Sequence, residues 1–231
     1  MNAEELDRFE LIGKDLEDLV HIVHIVWQKR VLDVVLSSIL IVAFSPIIVL
    51  ILLAITAEGL ITPRHRGPLF LTEERGSEGE IFHLPKFRII RMDAFREIRK
   101  TQKFQHIKPM ESDPANVTKV GAVLKKFYFD ELPQLFSILK GDMSFVGPRP
   151  WPLEAYYEEL EKGIFRKRLI RPGLTGLVQA TKGIENRPSE WKLDFAYIGF
   201  MKAEPSGWAK VALDLEILAR SAKTVTEGKG L

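Results

Sequence analysis

Two adjacent acids, Asp130 and Glu131, sit in the segment Phe129-Asp130-Glu131-Leu132-Pro133-Gln134-Leu135. Asp130 is placed to cap a helix, with Pro133 in the first turn, where a missing amide hydrogen costs little. That helix is expected to run to Lys140 and stop at Gly141. Both carboxylates would then stand at a helix N-terminus, whose dipole favours their ionised form. An ionised carboxylate can act as a nucleophile, and its neighbour can hold a hard cation such as Mg²⁺ through oxygen. The plainer reading is that Asp130 only caps and Glu131 only complements the dipole. Taken alone, the pair favours that plainer reading.

Nearby cations shift the balance. In Gly147-Pro148-Arg149-Pro150 the prolines restrict the backbone on both sides of Arg149. A rigid loop presenting one guanidinium suits bidentate phosphate binding. Lys86-Phe87-Arg88 follows an expected strand, and Arg171-Pro172-Gly173 lies on an expected tight loop. Each alone reads as a solvated charge. Together they would surround two carboxylates with positive charge, as phosphoryl transfer requires. No G-x-x-x-x-G-K-[ST] or H-E-x-x-H motif is present, the five histidines are scattered, and there is no cysteine. A P-loop nucleotidase, a zincin and a cysteine-based metal site are thereby disfavoured. A net charge of +2 gives no sign of nucleic-acid binding.

The elements that must position these residues begin with an anchor. Val34 to Ala57 is a run of 24 residues without a charge, about 36 Å as a straight helix and long enough to cross a bilayer core. Two features argue against a simple span. Lys29 and Arg30 precede it and Arg64 and Arg66 follow it, whereas basic residues usually mark one side of a membrane. Pro46 interrupts its middle, directly after Ser45, whose hydroxyl can bond a carbonyl freed by the proline. A re-entrant helix–break–helix and a kinked spanning helix both fit. Residues 1–28 read as an acidic, amphipathic surface segment, 29–60 as the membrane helix, and 61–231 as the polar domain. Within that domain a small hairpin is expected around Phe70-Leu71 and Ile81 to Leu84. Helices are expected over 93–104, 131–140, 153–169 and 206–224, the last opened by Ser206. Loops are expected over 109–118 and 171–176. The fold class is α+β, mainly helical, with interfacial amphipathic helices and a small β element.

These ordered blocks resemble the bacterial sugar transferase family of polyprenyl-phosphate sugar-1-phosphate transferases, the monotopic phosphoglycosyl transferases, in compact form. The resemblance runs over roughly residues 29–220. It rests on Lys29-Arg30 with Asp33, Ser45-Pro46, Lys86-Phe87-Arg88, Asp130 to Leu135, Lys140-Gly141-Asp142-Met143-Ser144, Val146 to Pro150 and Arg171 to Gly176. It implies that Asp130 attacks the β-phosphate of a UDP-sugar, releasing UMP and leaving an aspartyl-phosphosugar. Polyprenyl (undecaprenyl) phosphate then takes the sugar-1-phosphate. It implies that Glu131 ligates Mg²⁺, that Lys86, Arg88, Lys125, Arg149 and Arg171 contact phosphate, and that Ser45-Pro46 breaks a re-entrant helix. The implied setting is the bacterial inner membrane, with the catalytic domain on the cytosolic face, where the product initiates membrane-linked glycan, O-antigen or exopolysaccharide assembly. Membrane lipid is then a partner, nucleic acid is not, and a homo-oligomer is compatible. The chain departs from the family pattern at Ile89-Ile90, at Lys125 where arginine is usual, and at Phe127-Tyr128-Phe129. Two other readings compete: a non-enzymatic assembly protein that retains the scaffold, and a peripheral binder of anionic lipid or nucleic acid.

Overall fold

The computed structural model describes residues 21–101, 108–185 and 187–227, with backbone alone at 97–101 and 108–109. Most of the amphipathic segment expected over 1–28 lies outside the described residues. The chain enters helix α1 (Trp27–Ile61), the one described helix long and apolar enough to cross a membrane. Helical geometry is continuous through Pro46, so no break in secondary structure occurs where one was expected. The physical reason is local. Pro46 cannot donate to the Val42 carbonyl, and the Ser45 hydroxyl donates to it instead, at 2.8 Å.

Both ends of α1 are tied to the same body. At its start Arg30 donates to the Ile138 carbonyl at 2.7 Å, and Asp33 accepts from the Phe145 amide at 3.0 Å. At its end Glu58 accepts from the Lys119 amide at 2.8 Å, while Ile51 and Ile55 pack with Phe87, Ile89 and Leu124. The midpoint residues Val42, Ala43, Ser45 and Pro46 are exposed.

The hairpin β1 (Phe70–Ser77) and β2 (Glu80–Phe87) is antiparallel, pairing Phe70 with Phe87 and Ser77 with Glu80. Its two-residue turn places Glu78 at φ 48° and Gly79 at φ 86°, the geometry that matches strand twist. Then come α2 (Met92–Thr101), α3 (Lys119–Lys126) and α4 (Gln134–Lys140). The last of these ends at Gly141 with φ 105°, as the sequence predicts. The expected loop 109–118 contains a short helix (Lys108–Glu111) and a 3-10 turn (Pro114–Asn116).

Strand β3 (Ser144–Val146) runs parallel to β4 (Gly173–Thr175), so the expected 171–176 loop is partly a strand. Here the two backbones touch. A Cβ on Gly173 would lie 2.1 Å from the Gly147 nitrogen, so only glycine allows the pairing. Helix α5 (Leu153–Glu161) is separated from a short helix (Arg166–Leu169) by Gly163 at φ 75°, dividing the helix expected over 153–169. Helices α6 (Glu190–Ala203) and α7 (Gly207–Thr226) close the core against β3 and α4, and Ser206 caps α7 by accepting from the Ala209 amide.

Candidate active site

Asp130 and Glu131 do not cap a helix. They occupy a 3-10 turn (Phe129–Glu131), and α4 begins only after Pro133, without a side-chain cap. The residue before the turn, Tyr128, holds φ 57°, a left-handed conformation uncommon for a side chain of this size. That kink turns the chain out of α3 and directs the acids into a cavity of about 650 Å³.

Glu131 Oε1 lies 3.3 Å from Lys86 Nζ and 3.7 Å from Arg149 Nη2. Asp130 beside it is 5% exposed, and burial pushes its carboxyl up from 3.8 to about 6. Lys86 pulls that value down, while Glu131 and Glu111 push it up. The helix dipole was expected to favour the anion. Removal from water outweighs it, because a seven-residue helix starting four positions later contributes little. Burial works to lower the Lys86 ammonium, but Glu131, Glu73, Glu111 and Asp130 together leave it raised.

The hairpin supplies another wall. Leu71, Glu73 and Arg75 alternate inward on β1, and Arg75 Nη2 meets Glu73 Oε2 at 2.6 Å. Arg75 also bridges the backbone to Pro152, joining the hairpin to the proline-rich loop that carries Arg149. Lys125 lines the cavity and donates to the Glu111 carbonyl at 2.6 Å. Asp130, Glu131, Lys86, Lys125 and Arg149 are therefore brought together as expected.

Two expected phosphate contacts are elsewhere. Arg88 is 1% exposed and donates to the carbonyls of Pro68 at 2.7 Å and Ile90 at 3.1 Å. Strand β2 ends at Phe87, so the period that would align Arg88 with Lys86 no longer applies. Its guanidinium holds backbone and does not line the cavity. Arg171 donates to Glu78 Oε2 at 3.3 Å, clasping the hairpin tip, and is likewise absent from the lining. Ser45 and Pro46 lie at the exposed midpoint of α1.

The sequence reading missed Glu73, Arg75, Glu111, Trp151, Lys167, Gln179 and Asp194, all of which line the cavity. Glu73 and Arg75 were recoverable from two-residue alternation once the hairpin was placed. Trp151 adjoins the Gly-Pro-Arg-Pro loop, and its ring carries Arg166 at 4.7 Å and Lys167 at 5.1 Å. Lys167 and Arg166 both pair with Asp194 at 2.9 Å. Nothing local marks these last residues. The oxygen donors Asp130, Glu131, Glu111 and Glu73 suit a hard divalent cation in kind. Among the described residues, however, no three acids or histidines form a metal cage. The set fits a cation held by one or two carboxylates together with substrate phosphate oxygens, the usual habit of Mg²⁺.

A family model described as bacterial sugar transferase matches residues 24–228. The exopolysaccharide production protein of Rhizobium meliloti is 39% identical over 170 residues, covering 65% of this chain and 67% of the relative. The UDP-glucose:undecaprenyl-phosphate glucose-1-phosphate transferase of Klebsiella pneumoniae is 30% identical over 199 residues, covering 82% of this chain and 38% of the relative. An uncharacterized sugar transferase of Haemophilus influenzae is 32% identical over 161 residues, covering 66% of this chain and 32% of the relative. The chain thus spans about a third of the length of the Klebsiella and Haemophilus relatives.

Proposed function

The chain belongs to the bacterial sugar transferase family, and from that premise we propose that it moves a sugar-1-phosphate from a UDP-sugar to polyprenyl (undecaprenyl) phosphate. The observation that carries this reading is the buried Asp130 beside Glu131 in a cavity that also presents Lys86 and Arg149. The ionised Asp130 carboxylate attacks the β-phosphorus of the donor. The bond from that phosphorus to the bridging oxygen breaks, and UMP leaves with the bridging oxygen. An oxygen of polyprenyl phosphate then attacks the same phosphorus, the aspartyl bond breaks, and a polyprenyl diphosphate sugar is released. Lys86 and Arg149 offset the diphosphate charge and hold it for in-line attack.

Mg²⁺ would be held through Glu131 and substrate phosphate oxygens, and it would supply charge neutralisation at the reacting diphosphate. Helix α1 would anchor the domain at the bacterial inner membrane. The attachment of both its ends to one body supports a helix that enters and leaves the same leaflet although its helical geometry continues through Pro46, and residues 61–231 would then work on the cytosolic face, where the lipid phosphate is presented. The names of the relatives support the lipid acceptor, and a role in starting glycan or exopolysaccharide assembly follows from that product.

The test is UMP release from a panel of UDP-sugars with polyprenyl phosphate and Mg²⁺, for wild type, Asp130→Asn and Glu131→Gln. Release with at least one donor, abolished by EDTA and by either substitution, is the expected result. Folded, inserted protein that releases UMP from no donor would instead favour a scaffold without this chemistry.

A further inference from the structure

Beyond its charged groups, the cavity is lined by Tyr128, Pro150, Trp151, Pro152, Ala155, Val178 and Gln179. Most of these offer ring or aliphatic surface, Tyr128 adds a hydroxyl, and Gln179 carries the one uncharged amide side chain. Its side chain is 3% exposed, and its Oε1 is buried with no hydrogen-bond partner. An unpaired carboxamide oxygen in such a place is costly, and native folds rarely leave one without a reason.

Its backbone is firmly set. Gln179 belongs to a short helix (Leu177–Ala180), its amide donates to the Gly176 carbonyl at 3.1 Å, and Arg187 holds the adjacent Val178 carbonyl at 2.9 Å. A Cβ on Gly176 would meet the Gly147 carbonyl at 2.4 Å, so this helix is pressed against the loop that carries Arg149. The carboxamide is therefore positioned by the same contact that positions a phosphate-binding cation.

We propose that Gln179 reads the uracil ring of the nucleotide donor, its carboxamide pairing with the ring's adjacent N3–H and carbonyl. The inference rests on the proposed use of a UDP-sugar. A flat heterocycle with one amide-like edge matches a surface of rings and aliphatic groups beside one carboxamide whose oxygen is unpaired. A hexose, with hydroxyls around its rim, would require several polar partners. The neighbouring charges are already engaged: Asp194 by Arg166 and Lys167, and Arg166 also by Glu159. They bound the space without competing for the base.

The test is a ligand-and-residue cycle read by calorimetry on full-length, detergent-solubilised protein. The probes are UMP and its N3-methyl derivative, and the proteins are wild type and Gln179→Leu. In wild type the methyl group is expected to weaken binding about 10-fold, the worth of one buried hydrogen bond. In Gln179→Leu UMP itself weakens by a similar factor, and the methyl group then costs nothing further. Ribose 5-phosphate, which lacks the base, binds both proteins equally. Wild type that binds UMP and its N3-methyl derivative with equal affinity overturns the proposal without any variant. So does a Gln179→Leu protein that keeps its UMP affinity while losing affinity for a UDP-sugar relative to UDP, because that outcome assigns Gln179 to the sugar. Failure of the parent reading looks different: no UMP release from any donor and no UMP binding in either protein.

Discussion

Two buried charge networks share this molecule. At the root of α1, Lys29 pairs with Asp214 and donates to the Val146 carbonyl at 3.0 Å. The Tyr197 hydroxyl lies 2.9 Å from the other Asp214 oxygen, and Asp33 accepts from Ser144 and from the Phe145 amide, each at 3.0 Å. Around the cavity, Lys86 and Arg149 share one oxygen of Glu131 at 3.3 and 3.7 Å, and Asp130 stands beside them. Burial pushes the carboxyls of both Asp214 and Asp130 upward. The difference lies in what answers each charge. The root network is answered mainly by short bonds to side chains and backbone, with Asp33 Oδ2 left buried and unpaired, and it joins α1 to the core. The cavity network is held by longer contacts and borders a space of about 650 Å³. Burial and charge alone would mark both as functional, and geometry separates them.

Substitutions in the two networks are expected to differ in effect. The largest belongs to Asp130→Asn. Loss of a covalent nucleophile is expected to lower UMP release on the order of 10⁴-fold or more, with the fold intact. The same change is expected to stabilise the free protein at pH 7.5. Between about pH 4 and pH 6 the folded state keeps the Asp130 proton while the unfolded chain has lost it, so stability falls as pH rises through that window. Above it the full penalty remains, roughly 3 kcal/mol for this shift, and asparagine removes part of it. A melting temperature that drops at pH 7.5 would contradict the burial argument. By the same logic, wild-type turnover at low Mg²⁺ should fall about tenfold per unit as pH drops below about 6, because the protonated acid cannot attack.

Next comes Lys29→Ala, which leaves Asp214 buried without its cation. It should cost about 3–5 kcal/mol, read as a large fall in thermal stability. Any loss of turnover should follow the unfolded fraction. If instead activity disappears in a protein that melts normally, the root network is not merely structural.

The two arginines of the basic motifs give a smaller and more pointed contrast. Arg149→Ala is expected to lower transfer by roughly 10²–10³-fold with little change in melting temperature. Arg88→Ala is expected to do the reverse, because it removes donors from the buried carbonyls of Pro68 and Ile90. Equal losses of activity at equal stability would erase the distinction. The smallest effect expected is that of Ser206→Ala, about 1 kcal/mol from the lost cap of α7, with donor affinity unchanged.

Much of this was legible in the chain because the physics was local. An uncharged stretch of 24 residues forms a helix wherever it lies. Ser45 answers the carbonyl that Pro46 frees, Ser206 caps, Gly141 stops a helix, and alternation makes a hairpin. The family itself could be read from the order of its motifs. Tertiary structure alone decided the rest. It moved the acids from a helix terminus into a buried 3-10 turn, where loss of water outweighs a dipole and raises Asp130. It aimed Lys86 into the cavity and folded Arg88 into the backbone two residues later. It brought Glu73 and Arg75, Glu111, and Gln179 to the same space from three separate stretches of sequence. Spacing along a chain predicts neighbours only within one element. Solvent exposure and field at a carboxylate are set by whatever elements pack around it, which no local pattern encodes.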